Sequence, residues 1–324
     1  MSWNPACSIE QLKARAAMYA QIRAFFRERG VLEVETPLLS RAASTDPQLQ
    51  SVGASLHGLP STVCPENTPF YLQTSPEFPM KRLLASGSGP IFQICKTFRN
   101  GERGRRHNPE FSMLEWYRPG FSLDDLMVET GALLTALIPV DTPITLTYRD
   151  VFKRYLEIDP FQIDDGELAS LVRTRCAYSG EALCRDDALN LLLSVCIEPY
   201  LGVEEPVFLT AYPASQASLA EVSQDAFGNR VAKRFELYIQ GIELANGYQE
   251  LTDAAEQARR FDADNIARRE AGLPEMPVDE RLLAAMSAGL PDCAGVAVGL
   301  DRLLMVQQRQ SAIDDVIAFP IEKA

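Results

Sequence analysis

The chain has 324 residues, of which 46% are hydrophobic and 23% charged, so it is ordinary for a globular protein large enough to bury a core. No apolar run reaches the roughly 18 residues of a membrane-spanning helix, and the N-terminus lacks the features of an export signal. The net charge of −13 argues against a broad nucleic-acid-binding face, and seven cysteines without a C-x-x-C pair predict reduced thiols in the cytoplasm rather than a zinc site.

The first predicted element is a helix that begins at the capping box S-I-E-Q (residues 8–11) and ends at about Arg29, before Gly30. The next run, V-L-E-V-E-T-P-L-L, predicts a strand that ends at Pro37. The apolar side of such a helix is equally consistent with packing on the protein's own core and with a contact between two copies of the chain.

A second strand, F-Y-L-Q-T, leads directly into another helix. Ser75 suits the N-cap of this helix, Pro76 its first position and Glu77 its first turn. A glutamate at this place either only complements the helix dipole, an effect of ~0.3–1 kcal/mol, or binds a cationic ligand. The residues by themselves leave both roles open.

The most informative stretch runs from Phe92 to Tyr117. Both of its ends alternate with the period of a strand, and a long connection from Asn100 to Glu110 joins them. Within this stretch, residues 99–107 form an arginine loop, whose cations are Arg99, Arg103, Arg105, Arg106 and His107. In an acidic protein such a cluster predicts a bound polyanion, most simply a triphosphate, and the plain alternative is a solvated basic loop.

Common nucleotide-binding motifs are absent from the sequence. No G-K dipeptide occurs, which excludes a P-loop, and no H-R-D occurs, which excludes the catalytic loop of protein kinases. An ATP site in this chain must therefore be of another kind. Since His57 and His107 are the two histidines, a histidine-rich metal site or a histidine-based triad is not expected.

After a second capped helix at residues 122–138, residues 158–206 predict a helical, acidic insertion without visible chemistry. Strands return at Val207, and the run R-F-E-L-Y-I-Q-G-I-E-L-A-N-G-Y-Q-E-L places three carboxylates in apolar surroundings, at Glu236, Glu243 and Glu250. Carboxylates in an apolar strand are costly unless they are paired or bound to a metal. Hard oxygen ligands of this kind suit Mg²⁺.

Two polar helices, at about 252–271 and 278–288, precede the run C-A-G-V-A-V-G-L-D-R-L-L-M. Its small residues predict a strand that a ligand can approach closely, and a helix that begins at Asp301 would present Arg302 to that ligand. A lone G-x-x-x-G is weak evidence for any ligand.

Taken together, these segments resemble a known family. The run F-R-N-G-E-R-G-R-R-H-N-P-E-F-S-M-L-E-W-Y resembles motif 2 of the class II aminoacyl-tRNA synthetases, in the lysyl branch. The first helix and strand are similar to motif 1, and the run that ends in D-R-L-L-M is similar to motif 3. The resemblance covers most of residues 8–320 and implies an α+β fold with a mixed, mostly antiparallel β-sheet flanked by helices.

The same resemblance implies a single catalytic domain over residues 1–324, with the insertion at about 158–206. It also implies a homodimer through the N-terminal helix and the following strand, because motif 1 forms the dimer interface in that family. An anticodon-binding domain is not expected, since the first helix begins at residue 9.

The resemblance also implies roles for individual residues. Arg99 and Arg302 would be catalytic and stabilise charge on the phosphates of ATP, and Glu236 and Glu243 would hold Mg²⁺. The other residues implied for ATP are Asn100, Gly101, Glu102, His107, Asn108, Phe111, Glu243 and Leu244. The residues implied for the amino acid are Ser75, Pro76, Glu77, Glu115, Tyr117, Asn246, Tyr248, Glu250, Ala297 and Gly299.

A lysyl-type core without an anticodon reader resembles the ligases that attach (R)-β-lysine to a lysine of elongation factor P. This resemblance implies ATP-dependent activation of (R)-β-lysine or lysine and transfer to elongation factor P, with a role for tRNA unlikely and none for a membrane. Two alternatives stay open: a truncated lysyl-tRNA synthetase paralogue acting on tRNA or a small acceptor, and a non-catalytic sensor of lysine or ATP.

Two positions depart from the lysyl pattern. Gly101 stands where the lysyl enzymes have a glutamate that contacts ATP, so either Glu102 replaces it or the contact is absent. In motif 3, Ala297 stands where the lysyl pattern G-x-G-x-G has its central glycine. The extra methyl would crowd an α-ammonium and favour an amino group on the β-carbon, a discrimination of ~1–3 kcal/mol.

Overall fold

Residues 3–58, 60–62, 65 and 68–324 are described by a computed structural model. Their contacts divide the chain into two units: the first comprises Met1–Gly120, Leu251–Cys293 and Ala297–Ala324, and the second Phe121–Glu250 and Ala294–Val296. The six described cysteines are free thiols, as the sequence predicts, and Cys64 lies outside the described residues. A single catalytic domain stays a prediction.

In the N-terminal part of the first unit, the described residues form two helices and six strands. They are α1 (Ile9–Glu28), β1 (Leu32–Glu33), β2 (Leu39–Ser40), β3 (Val52–Ala54), β4 (Phe70–Leu72), α2 (Glu77–Ala85), β5 (Ile91–Phe98) and β6 (Glu110–Pro119). The predicted cap of α1 is confirmed, because the Ser8 side chain accepts a hydrogen bond from the Gln11 N–H at 3.3 Å. The strand predicted to reach Pro37 is shorter than expected and ends at Glu33.

The middle of the chain, which forms most of the second unit, begins with four helices and one strand. They are α3 (Leu123–Leu137), β7 (Ile144–Thr147), α4 (Tyr148–Leu156), α5 (Asp165–Arg175) and α6 (Arg185–Leu192). A short π-helix and a 3₁₀ turn at 193–200 complete the insertion, whose predicted helical character is thus confirmed. Four strands follow: β8 (Val207–Pro213), β9 (Val222–Gln224), β10 (Arg230–Ile239) and β11 (Ile242–Gln249).

The C-terminal part contains α7 (Ala254–Glu270), α8 (Glu280–Gly289), β12 (Cys293–Gly299) and α9 (Leu300–Gln307). The last helix was predicted to begin at Asp301 and begins one residue earlier. In the part of the chain that the structure describes, no helix is both long and apolar enough to cross a membrane.

Within the first unit, β5 and β6 form the predicted antiparallel hairpin, in register from Ile91 opposite Tyr117 to Phe98 opposite Glu110. The short strand β1 runs parallel to β5. Helix α1 packs on this hairpin through Phe26, whose ring centroid lies 4.6 Å from that of Phe92 and 5.2 Å from that of Trp116. This aromatic contact fixes α1 against the end of the hairpin that lies away from the arginine loop.

Within the second unit, β11, β10 and β8 pair antiparallel in that order, β9 adds to β10, and β7 pairs with β8 in parallel. Helix α4 covers β8, and its Tyr148 and Phe152 pack against Tyr212 of that strand in a buried cluster. The predicted α+β class with a mostly antiparallel sheet and flanking helices is confirmed.

Candidate active site

The start of α2 and strand β6 bring four of the predicted amino-acid-binding residues together. The Ser75 hydroxyl donates to Glu115 Oε1 at 2.6 Å and accepts from the Glu77 N–H at 3.0 Å. The Tyr117 hydroxyl donates to Glu115 Oε2 at 3.0 Å. One detail of the prediction is wrong: Pro76, not Ser75, is the N-cap of α2, and the Ser75 hydroxyl accepts from the Glu77 N–H one position before that cap.

Glu77 and Glu115, the carboxylate pair, differ in their surroundings. Glu115 is 2% exposed, and its burial, together with the charge of Glu77, raises the pKa of its carboxyl group to about 8. Glu77 is ion-paired instead with Lys81, whose Nζ lies 2.6 Å from Glu77 Oε1 and whose side chain is 1% exposed. At pH 7, therefore, Glu115 holds a proton while Glu77 bears a charge that Lys81 balances.

In the arginine loop, Arg99 contacts two other residues of the predicted ATP site. Its guanidinium lies over the Phe111 ring, 5.1 Å from the centroid, and 3.7 Å from a carboxylate oxygen of Glu102. Gly101 has φ of 80°, a conformation that favours glycine and that a glutamate would adopt only with strain. This geometry fits the alternative in which Glu102 takes the place of the missing glutamate.

Asn100, inside the arginine loop, and Asn108, directly after it, are both hydrogen-bonded to backbone groups. The Asn100 N–H donates to the Gln50 carbonyl at 2.7 Å. Asn108 is buried; its amide donates to the Glu110 carbonyl at 2.6 Å and accepts from the Ile321 N–H at 3.0 Å. The side chain of Asn108 therefore supports the loop, and its predicted contact with ATP stays a prediction.

Not every cation of the arginine loop is directed to a polyanion. Arg103 pairs with two carboxylates near the C-terminus, Asp314 at 2.8 Å and Glu322 at 2.6 Å. Arg105 donates to the Ser311 carbonyl at 2.9 Å. The expectation that the cluster as a whole binds a polyanion is thus wrong for Arg103, which neutralises acidic side chains of the protein itself.

At the start of α9, Arg302 meets His107 from the end of the arginine loop. The Arg302 Nη2 lies within hydrogen-bonding distance of His107 Nε2, and burial followed by the charge of Arg302 lowers the pKa of His107. A neutral imidazole can accept this hydrogen bond, so His107 orients the guanidinium without adding charge. The two catalytic arginines predicted from the sequence thus both lie beside residues of the arginine loop.

The neighbouring Asp301 fixes the first turn of α9. Its carboxylate accepts from the Ser112 N–H of β6 at 2.6 Å and pairs with Arg15 of α1 at 2.6 Å, and the group is 2% exposed. A buried carboxylate with these two partners resists rotation of the turn that carries Arg302.

The second unit places polar residues on one face of β10 and β11. Glu236 lies opposite Asn246, and Arg234 lies opposite Tyr248. Asn246 Oδ1 is buried and has no hydrogen-bond partner among the described residues. Because such an atom is costly to leave unpaired, it supports the predicted contact of Asn246 with a ligand.

Glu236 does not fit its predicted role as a metal ligand in this arrangement. Its carboxylate accepts hydrogen bonds from Tyr212 and Tyr238 and is ion-paired with Arg234. A magnesium ion would have to displace the guanidinium, a cation already held in a buried position. Glu243 is half-buried, and among the residues that the structure describes no three metal-binding side chains cluster.

The remaining predicted residues differ in their exposure. Leu244 and Glu250 are buried, whereas Tyr248, Ala297 and Gly299 are half-buried. A direct contact of the Leu244 side chain with ATP is therefore not supported, and the predicted contact is limited to its backbone.

The chain was then compared with known proteins. The model of a family described as "tRNA synthetases class II (D, K and N)" matches residues 6–323. The chain belongs to this class II synthetase family. The fold that the sequence motifs imply is thereby confirmed at the level of the family.

Within the class II synthetases, the chain is similar over its full length to three curated relatives, from Salmonella dublin, Salmonella paratyphi B and Salmonella heidelberg. Each is 48% identical over an alignment of 327 positions that covers 100% of this chain and 98% of the relative. Each of these relatives is called an elongation factor P–(R)-β-lysine ligase.

Three residues that pair with predicted site residues or their neighbours were missed by sequence reasoning. Lys81 pairs with Glu77, Arg234 with Glu236, and Arg15 with Asp301. The spacing of Glu77 and Lys81, four residues apart on a helix, was a visible signal for the first pair. Arg234 and Glu236 are two residues apart on one strand face, which was a weaker signal, and nothing local indicated the pair of Arg15 and Asp301.

Proposed function

We propose that this protein activates (R)-β-lysine, or lysine, with ATP as an aminoacyl-adenylate and transfers it to a lysine ε-amine of elongation factor P. The observation that carries the proposal is the full-length similarity, at 48% identity, to ligases of that name. The carboxylate pair supports it, because a buried and a half-buried carboxyl group side by side suit a cationic amino group. We infer a cytoplasmic location, since ATP and a translation factor are both found there.

In the first step, an oxygen of the amino acid carboxylate bonds to the α-phosphorus of ATP, and the bond to pyrophosphate breaks. Arg99 and Arg302 would stabilise the charge that develops on the phosphates. Phe111, whose ring already lies beneath the Arg99 guanidinium, would stack on the adenine. Glu77 and Glu115 would hold the amino group near the reacting carboxylate.

In the second step, the neutral ε-amine of the acceptor lysine attacks the carbonyl carbon of the adenylate. The bond to AMP breaks, and the amine loses a proton to solvent. No protein nucleophile is needed, so the contribution of the chain is positioning and electrostatic stabilisation.

The remaining roles that the lysyl resemblance implies concern the distal ammonium group of the amino acid. We propose that Glu250, with Asn246 and Tyr248, binds the distal ammonium group, as the lysyl resemblance implies. A role of Glu243 in holding Mg²⁺ is likewise a proposal, and no step of the reaction is assigned to the metal because Glu236 does not fit as its partner.

A homodimer through α1 and β1 is the proposed assembly. Ile9 and Leu32 are apolar but 55% and 56% exposed in the single chain, so both side chains are available for such a contact. We expect the protein to sediment at twice its mass of 35.9 kDa at micromolar concentration, and the pair of changes Ile9→Glu and Leu32→Glu to yield folded monomers. Val128→Glu, at a position that is 74% exposed on α3, is the matched control. A wild-type monomer in sedimentation or light scattering would refute this assembly.

The preference for the β-amino acid should depend on Ala297. We expect Ala297→Gly to remove the methyl that crowds an α-ammonium, and thus to raise kcat/KM for lysine relative to (R)-β-lysine by about ten-fold or more. The measurement is ATP–pyrophosphate exchange with each amino acid, with KM for ATP determined in parallel. An unchanged ratio would show that this methyl does not select the substrate.

The control for that comparison is Glu250→Gln. Both amino acids carry the same distal ammonium group. This change should therefore weaken the binding of both amino acids to a similar degree, by the ~1.5–3 kcal/mol of a charged hydrogen bond. If activity fell with only one of the two amino acids, Glu250 rather than Ala297 would discriminate between them.

The proposed function is tested by offering the protein ATP, labelled (R)-β-lysine, purified elongation factor P and tRNA in parallel reactions. We expect label on elongation factor P and none on tRNA. Label on tRNA would support the truncated synthetase, and binding of lysine or ATP without pyrophosphate exchange would support the sensor.

A further inference from the structure

The carboxylate pair carries an unusual distribution of charge. Two carboxyl groups lie within electrostatic range of each other, and Lys81, one turn along α2, is almost completely buried against one of them. Burying an ammonium group is costly unless it compensates an opposite charge. Holding Glu77 in place is one function of Lys81, but an uncharged hydrogen-bond donor could do that as well.

The charge of Lys81 matters once a second cation arrives. In the empty site, the ion pair of Glu77 and Lys81 is neutral, and Glu115 is neutral as long as it keeps its proton. With a bound amino group, two cations lie beside the carboxylate pair, and the site is neutral only if Glu115 is ionised as well. Since a buried site favours zero net charge, binding of the amino group should cause Glu115 to lose its proton.

We propose that Lys81 is a positioning residue that allows both members of the carboxylate pair to be ionised when the amino group of the substrate binds, so that one proton leaves Glu115 for each amino acid bound. This inference rests on the proposed function, since it takes the substrate to be an amino acid held by the carboxylate pair. Nothing in the motifs of the chain assigns a role to Lys81.

The groups around Glu115 set the direction of the pH dependence. Glu77 disfavours its ionised form, whereas Arg99 and the hydroxyls of Ser75 and Tyr117 favour it. The neighbouring thiol of Cys95, whose own pKa is raised to about 12, stays neutral. Because burial and Glu77 prevail and raise the pKa of Glu115 to about 8, the empty site is protonated below that pH, and a cation is bound more tightly as the pH rises towards it.

Two measurements test the inference on the intact protein, with (R)-β-lysine and lysine as ligands. Calorimetry at pH 7 in buffers of different ionisation enthalpy should count close to one proton released per amino acid bound. Between pH 6 and pH 7.5, where the amino groups of the ligand stay protonated, the apparent Kd should fall by about ten-fold or more.

The decisive variant is Lys81→Met, which keeps most of the length of the side chain and removes its charge. The empty site of this variant keeps one charge, that of Glu77, whose side chain is 13% exposed and reached by solvent. The amino group of the substrate neutralises that charge, so Glu115 keeps its proton in the filled site. Proton release should therefore fall to near zero and the dependence of Kd on pH should flatten, while KM for ATP is unchanged. Lys81→Arg should restore the proton release, and Lys233→Met, which breaks an exposed pair with Glu221, should behave as the wild type.

The outcomes separate the possibilities. Full proton release in folded Lys81→Met would overturn the inference, because Lys81 would then only support the structure. If that variant does not fold, Glu115→Gln serves instead: it has no proton to lose, and a retained pH dependence would overturn the inference equally. A wild type that binds neither amino acid and shows no pyrophosphate exchange would refute the proposed function and this inference with it, whereas normal exchange without proton release would refute the inference alone.

Discussion

Replacing Arg302 by alanine is expected to lower amino-acid-dependent ATP–pyrophosphate exchange by ~10²-fold or more. Its guanidinium is hydrogen-bonded to His107, and the backbone turn that carries it is fixed by the buried carboxylate of Asp301. A cation held in this way is already oriented before the transition state forms, and stabilising charge from such a position is the largest effect a single side chain can have in this chemistry. Exchange measured at saturating lysine and ATP reports the effect.

The control for this change is Arg281→Ala, which removes an exposed arginine of α8. NMR of His107 gives a second readout. Because Arg302 lowers the pKa of His107, that pKa should rise in a folded variant that lacks Arg302. Exchange within a few-fold of the wild type, together with the expected rise of the His107 pKa, would remove Arg302 from the catalytic machinery.

Replacing Arg99 by alanine is expected to reduce kcat/KM for ATP to a similar extent, ~10²-fold or more. This residue has two functions in the structure, since its guanidinium covers the Phe111 ring and lies beside Glu102. The alanine variant would lose the positive charge and also the packing that orients Phe111. Steady-state exchange with ATP as the varied substrate gives the magnitude.

Arg99→Lys separates the two functions of Arg99. Lysine keeps a positive charge but lacks the planar, five-donor group that stacks on an aromatic ring and contacts phosphate oxygens in pairs. We expect activity between those of the wild type and the alanine variant. A lysine variant as active as the wild type would show that charge alone is required, and an alanine variant of near-normal activity would refute the role of Arg99.

Local sequence signals predicted most of the secondary structure. Capping residues define the starts of α1 and α3, and alternation of side chains identified the hairpin of β5 and β6. These signals are short-range, and the backbone responds to them largely wherever the segment lies in the fold. Boundaries were less reliable: the strand expected to reach Pro37 ends at Glu33, because pairing with a neighbour, not propensity, decides how far a strand extends.

The sequence by itself determined the family, through motif residues such as Arg99, Glu115 and Arg302 that occur in a characteristic order. Only the tertiary structure decided which of the nearby charges are neutralised within the protein. Arg103 belongs to the same cluster as Arg99, yet it is paired with Glu322, 219 positions away along the chain. Pairs of this kind form where the fold brings distant segments together, and no local pattern of residues encodes them.

The same reason explains the protonation state of the carboxylate pair. Both glutamates were predicted from motifs, but their difference arises from burial and from Lys81, which only the packed structure shows. The energy of a charge depends on the solvent and the partners removed or supplied by folding, and these are properties of three-dimensional positions. The sequence therefore named the groups that are proposed to contact the substrate, while the tertiary structure decided which of them bear a charge before it arrives.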